Sequence, residues 1–258
     1  MERHSTFPPQ PSDPLIREYE CWDASDGLTC HALSPKVTAI LIHETIGHLA
    51  EADFVLACAH QSPLLTLPPL SPKLTVVDYA HTAFGKPCPI PIYTDDEGTI
   101  AIDVCILKEG KRNACMTNRY TASALSLPLT GNARAATCND NPMVRMRNTA
   151  LLPWKDDPAK IISSIQKGFF LADSGNIYGD INGDFCCEVK EGYRIKNGHI
   201  CERIPECMVW GNAADFLKSI SMVGNDFTWY LDECTKWDKI QVAQGAPTIK
   251  AYLEIGDL

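Results

Sequence analysis

The chain lacks several features that mark common protein classes. Its 12 cysteines form no CxxC pair, and such pairs are typical of zinc ribbons and thioredoxin-like redox sites. It has no run of clustered Lys and Arg, and its formal net charge is -9. Because phosphate binding requires clustered basic side chains, these absences argue against a nucleic-acid partner. No internal repeat or low-complexity tract is evident either.

Long apolar segments are also missing. Residues 1–14 are polar and rich in proline, which predicts a flexible arm, and they lack the apolar stretch of a secretory signal. The longest relevant apolar run, residues 37–42, is too short to span a bilayer. We therefore predict a cytoplasmic protein with no membrane partner, in which most cysteines are reduced and buried in the core.

The most informative segment that is present is residues 43–48, which read His-Glu-Thr-Ile-Gly-His. Two imidazoles and a carboxylate are the ligand and general-base types of a hydrolytic zinc site. In the common HExxH motif the histidines are four residues apart, about 40° around an α-helix, whereas His43 and His48 are five apart, about 140° around one. Two such rings cannot reach one metal ion from a regular helix.

Several interpretations of this spacing remain open. A π-bulge would bring His43 and His48 onto one face of the helix, and Gly47 makes such a distortion easier. Alternatively, Glu44 and His48, which are four residues apart, could form the ligand pair without His43. Glu44 and His48 could also be an ordinary pair on a helix surface, with no metal. Glu51 lies three residues after His48 and is a candidate acceptor for its ring.

The pattern along the whole chain predicts an α+β fold, because short strand-like runs separated by turn residues outnumber the helical patterns. The predicted strands are residues 75–79, 100–106, 112–117 and 240–255, and the predicted helices are residues 37–58, 161–170 and 213–222. Asn212 is the expected N-cap of the last helix, and Asn197 with Gly198 predicts a hairpin turn. We expect a predominantly antiparallel β-sheet domain with a metal-binding helix near its N-terminus and a few further helices.

Several segments, in the same order along the chain, resemble the TldD/PmbA family of metallopeptidases. Residues 43–53 are similar to the family's extended HExxxHxxExD helix. Further similar segments are residues 76–78, 96–98, 107–110, 130–134, 145–149, 183–185, 191–193, 197–198, 211–212, 223–226 and 234–248. The likeness covers nearly all of residues 37–250, and a collinear series of this kind is more specific than any single motif.

The resemblance implies a ligand set that the spacing alone leaves open. His43, His48 and Cys234 would bind Zn²⁺, and Glu44 would activate a water on the metal. Cys234 depends on the resemblance alone, because by its residue type it reads as one more buried structural thiol among the 12 cysteines.

The resemblance also implies substrate-binding residues. Arg145 and Asn148 would lie in the wall of a cleft that takes a peptide as an added strand. From residue type alone, Arg145 is expected to be a surface charge, and Asn148 is expected to form an ordinary hydrogen bond within a sheet.

By the same resemblance, residues 37–258 form the catalytic domain, residues 1–36 form an N-terminal arm and lead-in, and the N-terminal domain of full-length members is missing. The implied activity is that of a zinc-dependent hydrolase cleaving amide bonds in small or unfolded peptides, or in a peptide-like natural-product intermediate. The implied partner is a second copy in a homodimer or a paralogous member in a heterodimer. The alternatives are a non-peptidase, C–N bond-cleaving biosynthetic enzyme and a subunit active only with a TldD/PmbA-type partner.

Overall fold

Two β-sheets dominate the computed structural model, which describes residues 28–58 and 61–257. The strands, in chain order, are β1 (Leu28–Leu33), β2 (Val76–Tyr79), β3 (Thr82–Ala83), β4 (Lys86–Pro87), β5 (Val104–Lys108), β6 (Lys111–Arg112), β7 (Ala133–Arg134), β8 (Met143–Val144), β9 (Asn148–Leu151), β10 (Lys167–Gly179), β11 (Asp184–Lys196), β12 (His199–Ile204), β13 (Cys207–Asn212), β14 (Met222–Val223), β15 (Thr228–Thr235), β16 (Lys239–Ala246) and β17 (Ile249–Asp257). The helices are α1 (Pro35–Ile42), α2 (Ala52–Cys58), α3 (Pro63–Thr66), α4 (Arg119–Leu125), α5 (Pro158–Ser163) and α6 (Ala213–Ser219). The predicted flexible arm of residues 1–14 lies outside the described residues.

The larger sheet has seven strands and closes on itself. Its order is β1-β10-β11-β13-β17-β14, β12 adds to β11, and β1 pairs with both β10 and β17. Only the β1–β10 pairing is parallel among these pairs. The smaller sheet has six strands in the order β15-β16-β9-β2-β5-β6, and only β16–β9 is parallel. The sheet-dominated, mostly antiparallel α+β fold predicted from the sequence is therefore confirmed.

Helix α1 lies between the two sheets. Ser34 caps its first turn by accepting a hydrogen bond from the Val37 backbone N–H at 3.3 Å. Pro35 fits the first helical position because a backbone N–H there would have no partner within the helix, so proline loses no hydrogen bond. Leu41 and Ile42 are fully buried. The helix packs against β10 of the larger sheet and against β15 and β16 of the smaller one. The residues that follow α1 are thereby held at the junction of the sheets.

Two local predictions are confirmed by the structure. Both concern features that neighbouring residues alone determine. Asn212 caps α6 by accepting a hydrogen bond from the Ala214 backbone N–H at 3.0 Å. Asn197 and Gly198 both have positive φ, at 50° and 79°, and turn β11 into β12. Asn and Gly tolerate this left-handed backbone, so the pair marks the hairpin in the sequence.

Long-range pairing overrides the local pattern at residues 167–170, where the predicted helix is wrong. Helix α5 ends at Ser163, and Phe169 and Phe170 belong to β10, where they pair with His31 and Ala32 of β1. The sequence analysis also missed β1, which lies within residues 1–36, the segment interpreted as an N-terminal arm and lead-in. β1 and β10 stabilise each other by hydrogen bonds that neither segment can form alone.

Other predicted elements are also shorter or interrupted in the structure. Of the predicted strand at residues 112–117, only Arg112 is in a strand, at the end of β6. The predicted helix over residues 37–58 is broken at Glu51, whose φ of -72° and ψ of 120° are extended. In the part of the chain that the structure describes, no helix is both long and apolar enough to cross a membrane.

Candidate metal centre

The segment that follows α1 is a π-helix, His43–Gly47, and it brings the two histidines together. The His48 backbone N–H donates to the His43 carbonyl, five residues back, and a short 3₁₀ turn, His48–Ala50, follows. The ring centroids of His43 and His48 lie 4.9 Å apart, and the ring planes are nearly perpendicular at 83°. The expected departure from α geometry near Gly47 is confirmed, and it resolves the five-residue spacing.

Cys234, on the edge strand β15, reaches the same point from the other side. One ligand atom from each of His43, His48 and Cys234 lies within 4.8 Å of the others, and the Cys234 sulfur is 3.2 Å from His48 Nε2. All three residues predicted as ligands are therefore adjacent, although Cys234 follows His48 by almost two hundred residues in sequence.

The ring of His43 is buried, and neither of its nitrogens has a hydrogen-bond partner among the residues that the structure describes. A buried imidazole without partners is costly, because its polar atoms lose water and gain nothing in return. Two imidazoles and a thiol are the donor types that zinc prefers, and three protein ligands leave a fourth tetrahedral position open. The side chains present therefore fit a zinc ion.

Glu51 orients the ring of His48, as the sequence suggested. His48 Nδ1 lies 3.0 Å from Glu51 Oε2, and the side chain of Glu51 is fully buried. This contact fixes the ring so that Nε2 faces Cys234, as carboxylates commonly do for metal-binding histidines. Glu51 is held at its extended position because its neighbours pair with Met116: Ala52 N–H donates to Met116 at 2.9 Å, and Met116 N–H donates to Ala50 at 2.9 Å.

Glu44 lies beside the three candidate ligands. Its Oε2 atom is 3.8 Å from His48 Nε2, and 17% of its side-chain surface is exposed. Burial raises the pKa of the Glu44 carboxyl; His48 opposes that shift, while Glu51 and Asp232 add to it. A carboxyl with a raised pKa at the edge of a cavity is suited to accept a proton and release it again.

The two histidines have opposite electrostatic environments. Burial lowers the pKa of His43 well below its ordinary value, and the charges of His48 and Arg145 lower it further. Burial also disfavours the charged form of His48, but Glu51, Glu44 and Cys234 outweigh that effect and raise its pKa well above its ordinary value. The site therefore concentrates negative charge around His48, as a site for a cation would.

A cavity of about 750 Å³ opens onto this cluster. Residues 175–181, most of them in β10, form one wall, and residues 232–236, in and after β15, form the other. His43, Glu44 and His48 line it as well. The cavity has the size of a typical small-ligand site and lies between the two sheets.

Arg145 and Asn148 are the predicted site residues that the structure does not bring to this cavity. Both are completely buried. Arg145 donates to the Cys234 carbonyl at 2.6 Å and forms an ion pair with Asp238. Asn148 donates to the Ile90 carbonyl at 2.8 Å and accepts from the Ile90 N–H at 3.0 Å. Their contacts are those of residues that hold backbone segments in place, because every contact is internal to the fold.

The sequence analysis missed Lys236 as a residue of this site. Its ammonium contacts Glu51 at 3.0 Å, and only 6% of its side chain is exposed. The available signal was weak: Lys236 follows Cys234 by two residues and begins the charged segment of residues 236–239. A lysine in a turn is ordinarily exposed, so burial could not be inferred from residue type.

Comparison with known proteins identifies the class to which this fold and cluster belong. The family described as PmbA/TldA metallopeptidase C-terminal domain matches residues 31–254. The chain belongs to this family of metallopeptidases.

Among curated relatives, the chain is 33% identical over 230 residues to a zinc metalloprotease TldD homolog of Saccharolobus solfataricus, covering 87% of this chain and 50% of that one. It is 32% identical over 225 residues to a metalloprotease of Methanothermobacter thermautotrophicus, covering 84% and 47%. The chain thus spans about half the length of the curated relatives it matches.

Solved structures share the fold. TldE from Thermococcus kodakarensis superposes with a TM-score of 0.66 at 16% identity, covering 87% of this chain and 50% of that one. A Thermotoga maritima protein described as a proposed modulator of a DNA gyrase superposes with a TM-score of 0.71 at 20% identity, covering 89% and 50%.

Proposed function

We propose that this chain is the catalytic part of a zinc-dependent hydrolase that cleaves amide bonds. The observation that carries the proposal is the convergence of His43, His48 and Cys234 at the end of a cavity, with Glu44 beside them. The curated relatives named as metalloproteases, one of them as a zinc metalloprotease, support the same activity.

His43, His48 and Cys234 would hold the ion, and Glu44 would be the catalytic residue that moves the proton. A zinc ion held there would act as a Lewis acid and would lower the pKa of a coordinated water to about 7. Glu44 accepts a proton from the attacking water and delivers it to the leaving amine. Its position between exposed cavity and buried cluster allows both transfers, because the carboxylate is accessible yet poorly solvated.

We propose a small or unfolded peptide, or a peptide-like natural-product intermediate, as the substrate. The cavity between residues 175–181 and residues 232–236 has a volume of about 750 Å³, which suits a short segment of extended chain better than a folded protein. Product masses would distinguish hydrolysis of a peptide bond, which adds one water, from another C–N cleavage on a biosynthetic intermediate.

The test combines metal analysis with three variants. The wild-type protein should contain about one zinc ion per chain and cleave unstructured peptides. Glu44→Gln should keep the zinc and lose activity by about 10²–10⁴-fold, because only the proton acceptor is removed. His48→Ala should lose both zinc and activity. Glu206→Gln, which changes an exposed carboxylate away from the cavity lining, is the matched control. Metal-free wild type or an active Glu44→Gln variant would contradict the proposal.

We also propose that the chain acts together with a second copy or with a paralogous family member. Large apolar side chains are exposed on both sides of Cys234: Leu231 is 69% exposed and Trp237 is 86% exposed. Exposed apolar side chains of this size favour an interface, and Trp237 also lines the cavity. Light scattering after gel filtration would measure the mass in solution, and a fully active monomer would contradict an obligate partner.

A further inference from the structure

Lys236 is a buried cation directly behind the candidate metal centre. It lies two residues after Cys234, where the chain turns from β15 towards β16. Only 6% of its side chain is exposed. Burying a lysine is costly unless its charge is matched. Its partners should therefore indicate why a charge is kept at this position.

The ammonium of Lys236 joins the turn after Cys234 to the segment after His48. It donates to Glu51 Oε2 at 3.0 Å and to the two carboxylate oxygens of Asp53 at 2.8 and 2.7 Å. It also donates to the Val144 carbonyl at 3.2 Å and lies 4.3 Å from the centre of the Phe54 ring. Its charge and its donors are fully used by the protein, so Lys236 is not available to contact substrate.

One carboxylate oxygen is shared between Lys236 and a candidate ligand. Glu51 Oε2 lies 3.0 Å from His48 Nδ1 and 3.0 Å from Lys236 Nζ. The side-chain contacts from Lys236 to Glu51 and from Glu51 to His48 thus close into a ring, because the Cys234 sulfur itself lies 3.2 Å from His48 Nε2. This ring of contacts fixes the distance between two backbone segments that are far apart in sequence.

We infer that Lys236 is a positioning residue that sets the distance and orientation of Cys234 relative to His48 and so determines zinc affinity. The inference rests on the proposed function. Without Lys236, Glu51 would keep His48 as its only charged partner among the described residues, and the turn would lose its attachment to the helical segment. Arg145 would still hold the Cys234 carbonyl from the other side. The fold should therefore persist while the ligand geometry loosens.

The experiment compares the zinc affinity of the full chain with that of two variants, Lys236→Met and Lys236→Arg. Affinity is measured by competition with a chromophoric chelator, and the Co²⁺-substituted protein gives an absorption spectrum that reports ligand geometry. Lys236→Met should weaken zinc binding by about 10–100-fold, the usual effect of removing a group that orients a ligand. Lys236→Arg should recover most of the affinity, because it restores the charge. Lys239→Met, at the start of β16 directly after the same turn and with a side chain 69% exposed, is the matched control and should bind as wild type does.

The outcomes separate this inference from the proposed function. If wild type binds no zinc, both fail. If wild type binds zinc and Lys236→Met binds it equally tightly with an unchanged Co²⁺ spectrum, only the positioning role fails. If Lys236→Met does not fold, the double variant Lys236→Met/Glu51→Gln decides, because it leaves no buried carboxylate unpaired. Zinc binding that is weaker in the folded double variant than in a Glu51→Gln single variant supports the inference, and equal affinity in these two variants overturns it.

Discussion

At the scale of single residues, Gly47 leaves room for the side chain of Met146 to pack against the π segment. A β-carbon added at this position would overlap the sulfur of Met146, a fully buried core residue. Because a packed core tolerates little added volume, Gly47→Ala should lower the free energy of unfolding by about 1–3 kcal/mol. Urea denaturation at neutral pH measures this change.

Gly211→Ala provides the control for Gly47→Ala. A β-carbon added at Gly211 would meet its nearest atom, in the ring of Phe185, at an ordinary contact distance of 3.4 Å, so this variant should stay close to wild type. If the clash with Met146 is the cause, the double variant Gly47→Ala/Met146→Ala should be less destabilised than the sum of the two single variants. Strict additivity would contradict this explanation.

His31 should give the fold a specific pH dependence. It is fully buried, contacts Thr29 Oγ1 at 2.7 Å and the Leu253 carbonyl at 3.2 Å, and burial lowers its pKa to about 4. Between the ordinary histidine pKa of 6.5 and about 4, the unfolded chain binds a proton that the folded chain does not. Stability should therefore fall as the pH falls through this range, by about 3 kcal/mol in total.

The measurement compares the free energy of unfolding at pH 7 and at about pH 4.5 in wild type and in His31→Gln. The other titrating groups contribute equally to both proteins, so the variant should lose less stability on acidification than wild type loses. His199→Gln, which changes an exposed histidine, should follow wild type. Parallel losses in wild type and His31→Gln would rule out this role for His31.

At the scale of elements, the sequence predicted those features that neighbouring residues determine. The five-residue spacing of His43 and His48 required a π-bulge if both were to be ligands, and the structure has one. Asn212 caps α6, and Asn197 with Gly198 turns β11 into β12. In each case the interacting atoms lie within a few residues of each other, so the pattern carries the information.

Features that depend on distant contacts could not be read in the same way. Residues 167–170 look helical by themselves and become a strand only because β1 lies beside them. Residue type cannot tell that Arg145 is buried, since its partners, Asp238 and the Cys234 carbonyl, follow it by about ninety residues. The same holds for Lys236 and Glu51. Cys234 itself was singled out by family resemblance and by no local pattern.

Asn148 should stabilise the packing of elements and have no direct effect on substrate binding. It lies at the start of β9, and its amide nitrogen donates to the carbonyls of Tyr79 and Ile90 at 3.0 and 2.8 Å. It thereby ties β9 to the end of β2 and to the loop that follows β4. Asn148→Ala leaves these buried groups unpaired and should lower the free energy of unfolding by about 2–3 kcal/mol.

The test of Asn148→Ala compares stability with kinetics on the same preparation. We expect a lower denaturation midpoint and an unchanged KM for peptide in the folded fraction. Asn176→Ala, on the wall of the cavity, is the comparison variant because it changes an amide that does line the site. A raised KM for Asn148→Ala at unchanged stability would restore the substrate-binding role that the family resemblance implied.

At the scale of the whole molecule, the two sheets produce one cavity with a negative lining. Helix α1 separates the sheets, so β10 and β15 face each other across the end of the π segment. Carboxylates along the cavity include Glu44, Asp180, Asp232 and Glu233. Of the two lysines there, Lys236 is used by Glu51 and Asp53, and Lys239 pairs with Glu233 at 3.6 Å. The chain as a whole carries a net charge of -9.

This charge distribution predicts a preference for cationic peptides. Negative walls attract positive ligands and repel negative ones, and the effect declines as salt screens it. For unstructured peptides of equal length, those with lysines flanking the cleaved bond should have a KM about two- to fivefold lower than those with glutamates. The difference should shrink when the ionic strength is raised to about 0.5 M.

Asp232→Asn should reduce the preference for cationic peptides, whereas Glu206→Gln, which changes an exposed carboxylate away from the cavity lining, should leave it unchanged. Equal KM values for the two peptides at low salt would mean that the cavity charge does not select substrate.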